Sequence, residues 1–295
     1  MAVEAIQHIR RMRGGAQGHL MLGADGNPYV VKFQNNPQHL RVLANELLAT
    51  QLARVAGLTV PQCEVIEVSE WLIEKTADLD IDFGKHRERC KAGLHFGSRL
   101  VGGLMPEHTA DYLPEEKLVE VRNLQEFAGM LVFDKWTCNS NGRQAVFHKT
   151  PREKKYRATF IDHGFCFNAG EWRFIDAPLR GVYARNLVYR QIAGWESFEP
   201  WLSRIEALDA TKMWEILETT PPEWYDGDAG ALEMLGERLL ERRERVRELI
   251  TNFRESSREP FPNWERGVKE KETGRFPEPQ WADELQEGKY RGRVM

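Results

Sequence analysis

Two short polar clusters set into apolar sequence constrain this chain more than anything else in it. One is Phe133-Asp134-Lys135-Trp136-Thr137-Cys138-Asn139-Ser140-Asn141-Gly142-Arg143-Gln144. The other is Ile161-Asp162-His163-Gly164, with Asp162 eighteen positions beyond Gln144. Asp162 leaves the β-branched run Ala158-Thr159-Phe160-Ile161 and enters a glycine turn. A carboxylate in that setting either caps the turn or holds a hard cation such as Mg²⁺. Asn141 stands in the first cluster, and its amide oxygen can orient a hydroxyl but cannot accept its proton as a carboxylate would. Asp134 comes seven positions earlier, roughly 10 Å away along a helix, which favours a structural role for it.

The sequence around these clusters changes character along the chain. Val3, Ala5, Ile6 and Ile9 give weak apolar periodicity before the basic, glycine-rich stretch 10–18. His19-Leu20-Met21-Leu22 and Tyr29-Val30-Val31-Lys32-Phe33 read as strands joined through Asp25-Gly26, a hairpin signal between apolar runs. Leu40, Leu43, Leu47, Leu48, Leu52 and Val55 recur at helical spacing, which predicts a helix over 40–56 ended by Gly57. Cys63–Val68 and Trp71–Glu74 read as short strands, 76–93 carries no clear pattern, and 94–101 is strand-like again. Gly102-Gly103 is the expected hinge. Beyond it the periodicity predicts helices over 115–136, 182–193, 198–207, 210–218 and 229–256, the last with Leu232, Leu235, Leu239, Val246, Leu249, Ile250 and Phe253 near one face. Pro260, Pro262, Pro277 and Pro279 amid mixed charge mark 257–295 as an extension. The expected organisation is therefore a β-rich unit over 1–103, a mainly helical unit over 104–256, and the 257–295 extension.

At 295 residues the chain is long enough for two cored lobes. Its net charge of −4 gives no electrostatic case for direct nucleic-acid binding, which normally shows as a basic excess. Cys63, Cys90, Cys138 and Cys166 are widely spaced with no C-x-x-C pair, as expected of reduced thiols and not of a zinc site. No apolar run approaches the roughly 18 residues of a membrane helix, and Met1-Ala2-Val3-Glu4-Ala5 lacks a signal-peptide pattern. A cytoplasmic protein with no membrane partner is the expectation.

Several further residues carry chemistry in principle. Gly14-Gly15-Ala16-Gln17-Gly18 is either an ordinary turn or a loop whose amides approach phosphate oxygens closely. Its spacing differs from a P-loop. Lys32, near the end of its strand, is either solvated at a sheet edge or points its ammonium into a cleft, where it would neutralise phosphates. Glu46, on the following helix, is either exposed or pairs with Lys32. Arg143 and Gln144 either serve structure or contact phosphate or metal-bound water. His163 reads as a packing or hydrogen-bonding residue, and Trp136 as core.

Together these pieces resemble the HipA-like kinases, in a compact form lacking an extra N-terminal subdomain. The resemblance covers roughly 10–250. It rests on Gly14-Gly15-Ala16-Gln17, Tyr29-Val30-Val31-Lys32-Phe33, Asn45-Glu46, Gly57-Leu58-Thr59-Val60-Pro61, His95-Phe96-Gly97-Ser98-Arg99, Phe133–Phe147 and Ile161-Asp162-His163-Gly164. It implies an α+β, protein-kinase-like two-lobed fold, ATP and Mg²⁺ as cofactors, and phosphoryl transfer to serine or threonine of a protein substrate. An antitoxin or other regulatory protein is the partner it implies. By the resemblance Gly14, Gly15, Ala16, Gln17, Lys32 and Glu46 would bind the cofactor, Asp162 and Gln144 the metal, and Asn141 and Asp162 would be the catalytic positions. The family pattern of Asp followed five residues later by Asn falls here on Asn141 and Val146, and both depart from it. That leaves two functional expectations: a kinase weakened at its base position, and a pseudokinase that binds nucleotide and acts as a regulatory interaction module.

Overall fold

The computed structural model describes residues 2–104 and 109–264. The chain opens with β1 (Val3–Arg11), β2 (His19–Gly23) and β3 (Pro28–Lys32), paired antiparallel in sequence order. The Asp25-Gly26 turn joins β2 to β3 as its sequence predicts. Asp25 accepts hydrogen bonds from the Asn27 backbone N–H at 3.1 Å and from the Tyr29 hydroxyl at 2.7 Å. Helix α1 (Val42–Val55) follows and is buried along most of its length. Its end has a geometric cause. Gly57 takes φ +81°, and the N–H groups of Gly57 and Leu58 reach back to the carbonyls of Arg54 and Ala53, the αL closure that glycine favours.

β4 (Cys63–Val68) is the strand the sequence predicts, but Trp71–Glu74 is not a strand. It lies in α2 (Glu70–Lys75), started by the Ser69 hydroxyl accepting from the Leu72 N–H at 3.2 Å. An apolar run this short carries no usable period, and the serine cap decides its form. The unpatterned stretch that follows is a small hairpin of β5 (Asp80–Asp82) and β6 (Arg87–Arg89). β7 (Gly93–Arg99) then pairs with both β3 and β4, and β4 meets β1 in parallel, so β1-β2-β3-β7-β4 close into a barrel.

Gly102 and Gly103, with φ +78° and +80°, follow β7. The next described strand, β8 (Thr109–Ala110), belongs to a different sheet, in the order β10-β9-β8. The rest is mainly helical: α3 (Glu115–Leu118), α4 (Glu126–Trp136), α5 (Trp201–Glu206), α6 (Ala210–Leu217), α7 (Ala229–Arg242) and α8 (Val246–Arg254), with β9 (Gln144–His148) and β10 (Arg157–Ile161) between α4 and α5. The helix expected over 115–136 is two helices separated by turns. The one expected over 229–256 is broken by a tight turn at Arg243–Arg245. α4 runs through the core. The indole N–H of Trp136 donates to the Leu239 carbonyl at 2.8 Å, and Arg242 donates to the carbonyls of Lys135 and Trp136 at the α4 C-terminus, where a cation is favoured. Phe261, buried after α8, packs on Tyr189, Phe198 and Phe253. The extension from 265 to 295, with Pro277 and Pro279, lies outside the described residues.

Candidate active site

Three elements far apart in sequence deliver three charges to one place. Lys32 ends β3, Glu46 sits in the second turn of α1, and Asp162 follows β10. The Lys32 ammonium donates to Glu46 Oε1 and, at 2.7 Å, to Asp162 Oδ1. The side chains of Lys32 and Glu46 are 11% and 3% exposed, and that of Asp162 is 17% exposed. Burial disfavours the charged form of Lys32, but the carboxylates of Glu46 and Asp162 outweigh it and hold the ammonium above its usual range. Asp162 shows the converse. Burial pushes its carboxyl up, Lys32 and the surrounding hydrogen bonds pull it down, and the net direction is downward. The pair is therefore ionised at neutral pH.

Glu46 does more than face the lysine. Its Oε2 accepts from the His163 N–H at 3.1 Å and its Oε1 from the Gly164 N–H at 2.9 Å. Asn45, its neighbour on α1, completes the grip. The Asn45 amide donates to the carbonyls of Gly164, Cys166 and Ala169 at 2.8–2.9 Å and accepts from the Trp172 indole at 2.7 Å. Two adjacent residues of one helix thus define the whole loop after Asp162. Asp162 itself has φ +63°, a conformation costly for a non-glycine residue.

Antiparallel pairing of β9 with β10 sets Gln144 opposite Ile161, and the Gln144 amide N–H donates to Asp162 Oδ2 at 2.7 Å. Sequence reading treats Gln144 as a polar residue after a helix, whereas it opens a strand. The same strand accounts for Val146, which is buried opposite Thr159 and pairs within the sheet. Arg143 takes the structural one of the two roles its sequence left open. Its guanidinium is buried against Asp134, with Nε 3.0 Å from Oδ2, and it donates to the carbonyls of Ile161 at 2.8 Å and Asp162 at 3.3 Å. Both side chains are 1% exposed. Asp134 also accepts from the Asn139 amide at 3.0 Å. Its structural role is as expected, and neither it nor Asn139 is free for chemistry.

Asn141 is exposed. Its N–H donates to Asn139 Oδ1 at 3.0 Å and its own Oδ1 accepts from the Gly142 N–H at 2.8 Å. The loop is tied to the Asp162 loop by Ser140, whose N–H and hydroxyl both donate to the Phe165 carbonyl. His163 packs edge-on to Phe133, and both its ring nitrogens are buried without a partner among the described residues.

The glycine-rich loop closes the turn from β1 to β2. The Gln17 side chain is committed elsewhere: its amide donates to the Asp82 carbonyl at 2.6 Å and accepts from the Asp82 N–H at 2.8 Å. Ala16 accepts from the Asn36 side chain at 2.8 Å, and Gly15 lies beside Gln38. His39, a residue further on, meets the Gly164 carbonyl at 2.9 Å. The amides of Gly14, Gly15 and Ala16 donate to no backbone group among the described residues. Sequence reading missed how Asn45 and Trp172 act. A buried Asn beside Glu46 on an otherwise apolar helix face was the available signal.

A β-barrel with one wedged helix, a helical second part, and a lysine–glutamate–aspartate cluster between them define a protein-kinase-like fold. Solved structures agree with it. A proinflammatory kinase of Helicobacter pylori, CtkA, is similar over 87% of this chain and 100% of its own, at 14% identity and TM-score 0.54. The Golgi casein kinase is similar over 91% of this chain and 73% of its own, at 13% identity and TM-score 0.52. No curated protein matched the sequence. The sequence profile described as HipA-like kinase matches residues 5–248, and the chain belongs to that family.

Proposed function

We propose that this protein is an ATP- and Mg²⁺-dependent phosphotransferase acting on serine or threonine of a protein substrate. The observation that carries the proposal is the contact of Lys32 with both Glu46 and Asp162 across elements up to 130 positions apart. Family membership supports it. Lys32 is suited to bind nucleotide phosphates, with Glu46 fixing its direction, and the free amides of Gly14 to Ala16 are suited to the same anion. Asp162 and the Gln144 amide oxygen would hold Mg²⁺. No cluster of three or more His, Cys, Asp or Glu side chains suited to a metal exists among the described residues. A site of this kind fits Mg²⁺, which takes one or two carboxylates and completes its shell with phosphate oxygens and water. When bound, Mg-ATP supplies the transferable phosphoryl group and the charge that neutralises the phosphates.

Neither Asn141 nor Asp134 is suited to be the base on the acceptor side. Asn141 cannot take the hydroxyl proton, and Asp134 is sealed against Arg143. Base assistance is worth about 10²–10⁴-fold, while positioning and electrostatics supply most of phosphoryl transfer. The reading is therefore of a slow kinase. The same observation favours a second reading, a pseudokinase that binds nucleotide and regulates a partner, for which an antitoxin is a candidate. No helix among the described residues is long and apolar enough to cross a membrane.

Incubation with γ-labelled ATP and a protein acceptor mixture tests the proposal. Label on serine or threonine that disappears in Lys32→Met supports the kinase. Nucleotide binding without any label supports the pseudokinase, and neither binding nor label overturns both.

A further inference from the structure

A cavity of about 500 Å³ opens between α6 and α7, well within the size of ligand-binding clefts. Its floor is apolar, formed by Leu217 and Leu232, and Trp214 and Tyr225 wall it. Gly236 makes that wall possible. A Cβ there would come within 2.6 Å of both Leu217 and Trp214, so only glycine lets the indole lie against α7. The rim carries Glu218, Glu233 and Glu237, and neither lysine nor arginine lines the cavity. All three glutamates are exposed, and none has an ion pair or side-chain hydrogen bond among the described residues.

A second observation is independent of the acidic rim. Thr220 lines the same cavity and is only 4% exposed, yet its hydroxyl has no hydrogen-bond partner among the described residues. Buried hydroxyls are normally satisfied, and this one is an unpartnered donor and acceptor beside the cavity.

We propose that the cavity docks a basic segment of a partner protein through its arginine or lysine side chains. The chemistry is complementary at each level. An arginine or lysine stem covers apolar floor while its charged head stays at the rim, and aromatic faces attract the cation. Glu233 and Glu237 stand one helical turn apart on α7, and Glu218, just beyond the end of α6, lines the same cavity. They form a row of charge suited to several basic residues in succession and not to a single ammonium. The inference does not depend on phosphoryl transfer. The cavity connects to the segment gripped by Asn45: the Tyr225 ring lies 6.1 Å from that of Trp172, the residue held by Asn45, and the Trp172 carbonyl accepts from Arg238 of α7 at 3.0 Å.

Calorimetric titration of the full chain with a short arginine-rich peptide tests this. Saturable binding is expected. It should weaken about tenfold in the double variant Glu233→Gln/Glu237→Gln, as for the loss of two partly exposed ion pairs, and should weaken further as salt rises. The double variant Glu64→Gln/Glu67→Gln, at two exposed positions of β4, should leave affinity unchanged. Absence of binding, or equal losses from both double variants, would overturn the proposal. So would free arginine amide binding as tightly as the peptide, since that would make the cavity a small-cation site.

Discussion

Two ion-pair systems lie beside each other in this molecule, Lys32 with Glu46 and Asp162, and Asp134 with Arg143. The first is open on one side. Lys32 and Asp162 retain solvent contact, and Asp162 also meets the exposed Gln144. The second is closed, with both side chains 1% exposed and the remaining guanidinium donors spent on the carbonyls of Ile161 and Asp162. Charge that keeps solvent contact is available to a ligand, and charge sealed in the core is available only to the fold. In the proposed kinase, Asp134 therefore could not stand in for a base at Asn141, and the Asp162 cluster would be the better equipped of the two regions.

The comparison breaks first at Asn141. If the open cluster is otherwise competent, Asn141→Asp should raise phosphoryl transfer about 10²–10⁴-fold. Because Asn141 is exposed, stability should change by no more than about 0.5 kcal/mol. Unchanged turnover in an enzyme that still binds ATP would count against a merely weakened kinase. Next in size is Arg143→Ala, which strands the Asp134 carboxylate in the core. Denaturant unfolding should register a loss of about 3–5 kcal/mol. Lys32→Met should cost less, because Asp162 can turn to water and Glu46 keeps two backbone N–H donors. Equal losses would mean that the open cluster is as structural as the closed one.

A further expected effect is a pH dependence confined to the barrel. His19 and His95 flank Phe33, and both are fully buried. His95 uses both nitrogens as a neutral ring, meeting the Lys91 carbonyl at 2.8 Å and the Gln34 N–H at 3.3 Å. Burial pulls each histidine from 6.5 down to about 4, the neighbouring His8 adding to the effect at His19. Between those values the unfolded chain binds protons that the folded chain does not, so stability rises with pH across the window and falls as pH drops from about 6.5 toward 4. The loss should not exceed about 1.4 kcal/mol per pH unit per histidine. Thermal melts should show it, with a shallower slope in His95→Gln.

Much of the open cluster is legible in the sequence because local rules place its members. A lysine near the end of a β-branched strand, a glutamate on the next helix and an aspartate leaving a strand into glycine each follow from period and punctuation, and β10 and α1 form where the pattern puts them. The closed pair is not legible in the same way. Nothing local says that Arg143 turns inward to Asp134, because that direction depends on β9, and β9 is recognisable only through its pairing with β10. The α2 helix was hidden for a similar reason, since one serine cap outweighs the strand-like composition of Trp71–Glu74. The docking cavity depends on Gly236 letting an indole approach from another helix, a contact that no window of sequence contains.

The central claim is that the open cluster is a nucleotide and metal site. Calorimetry of ATP binding with and without Mg²⁺, in the native chain and in Asp162→Asn, tests it most directly. The account predicts Mg²⁺-dependent binding that Asp162→Asn weakens. Absence of ATP binding, or binding indifferent to both Mg²⁺ and Asp162→Asn, would contradict it.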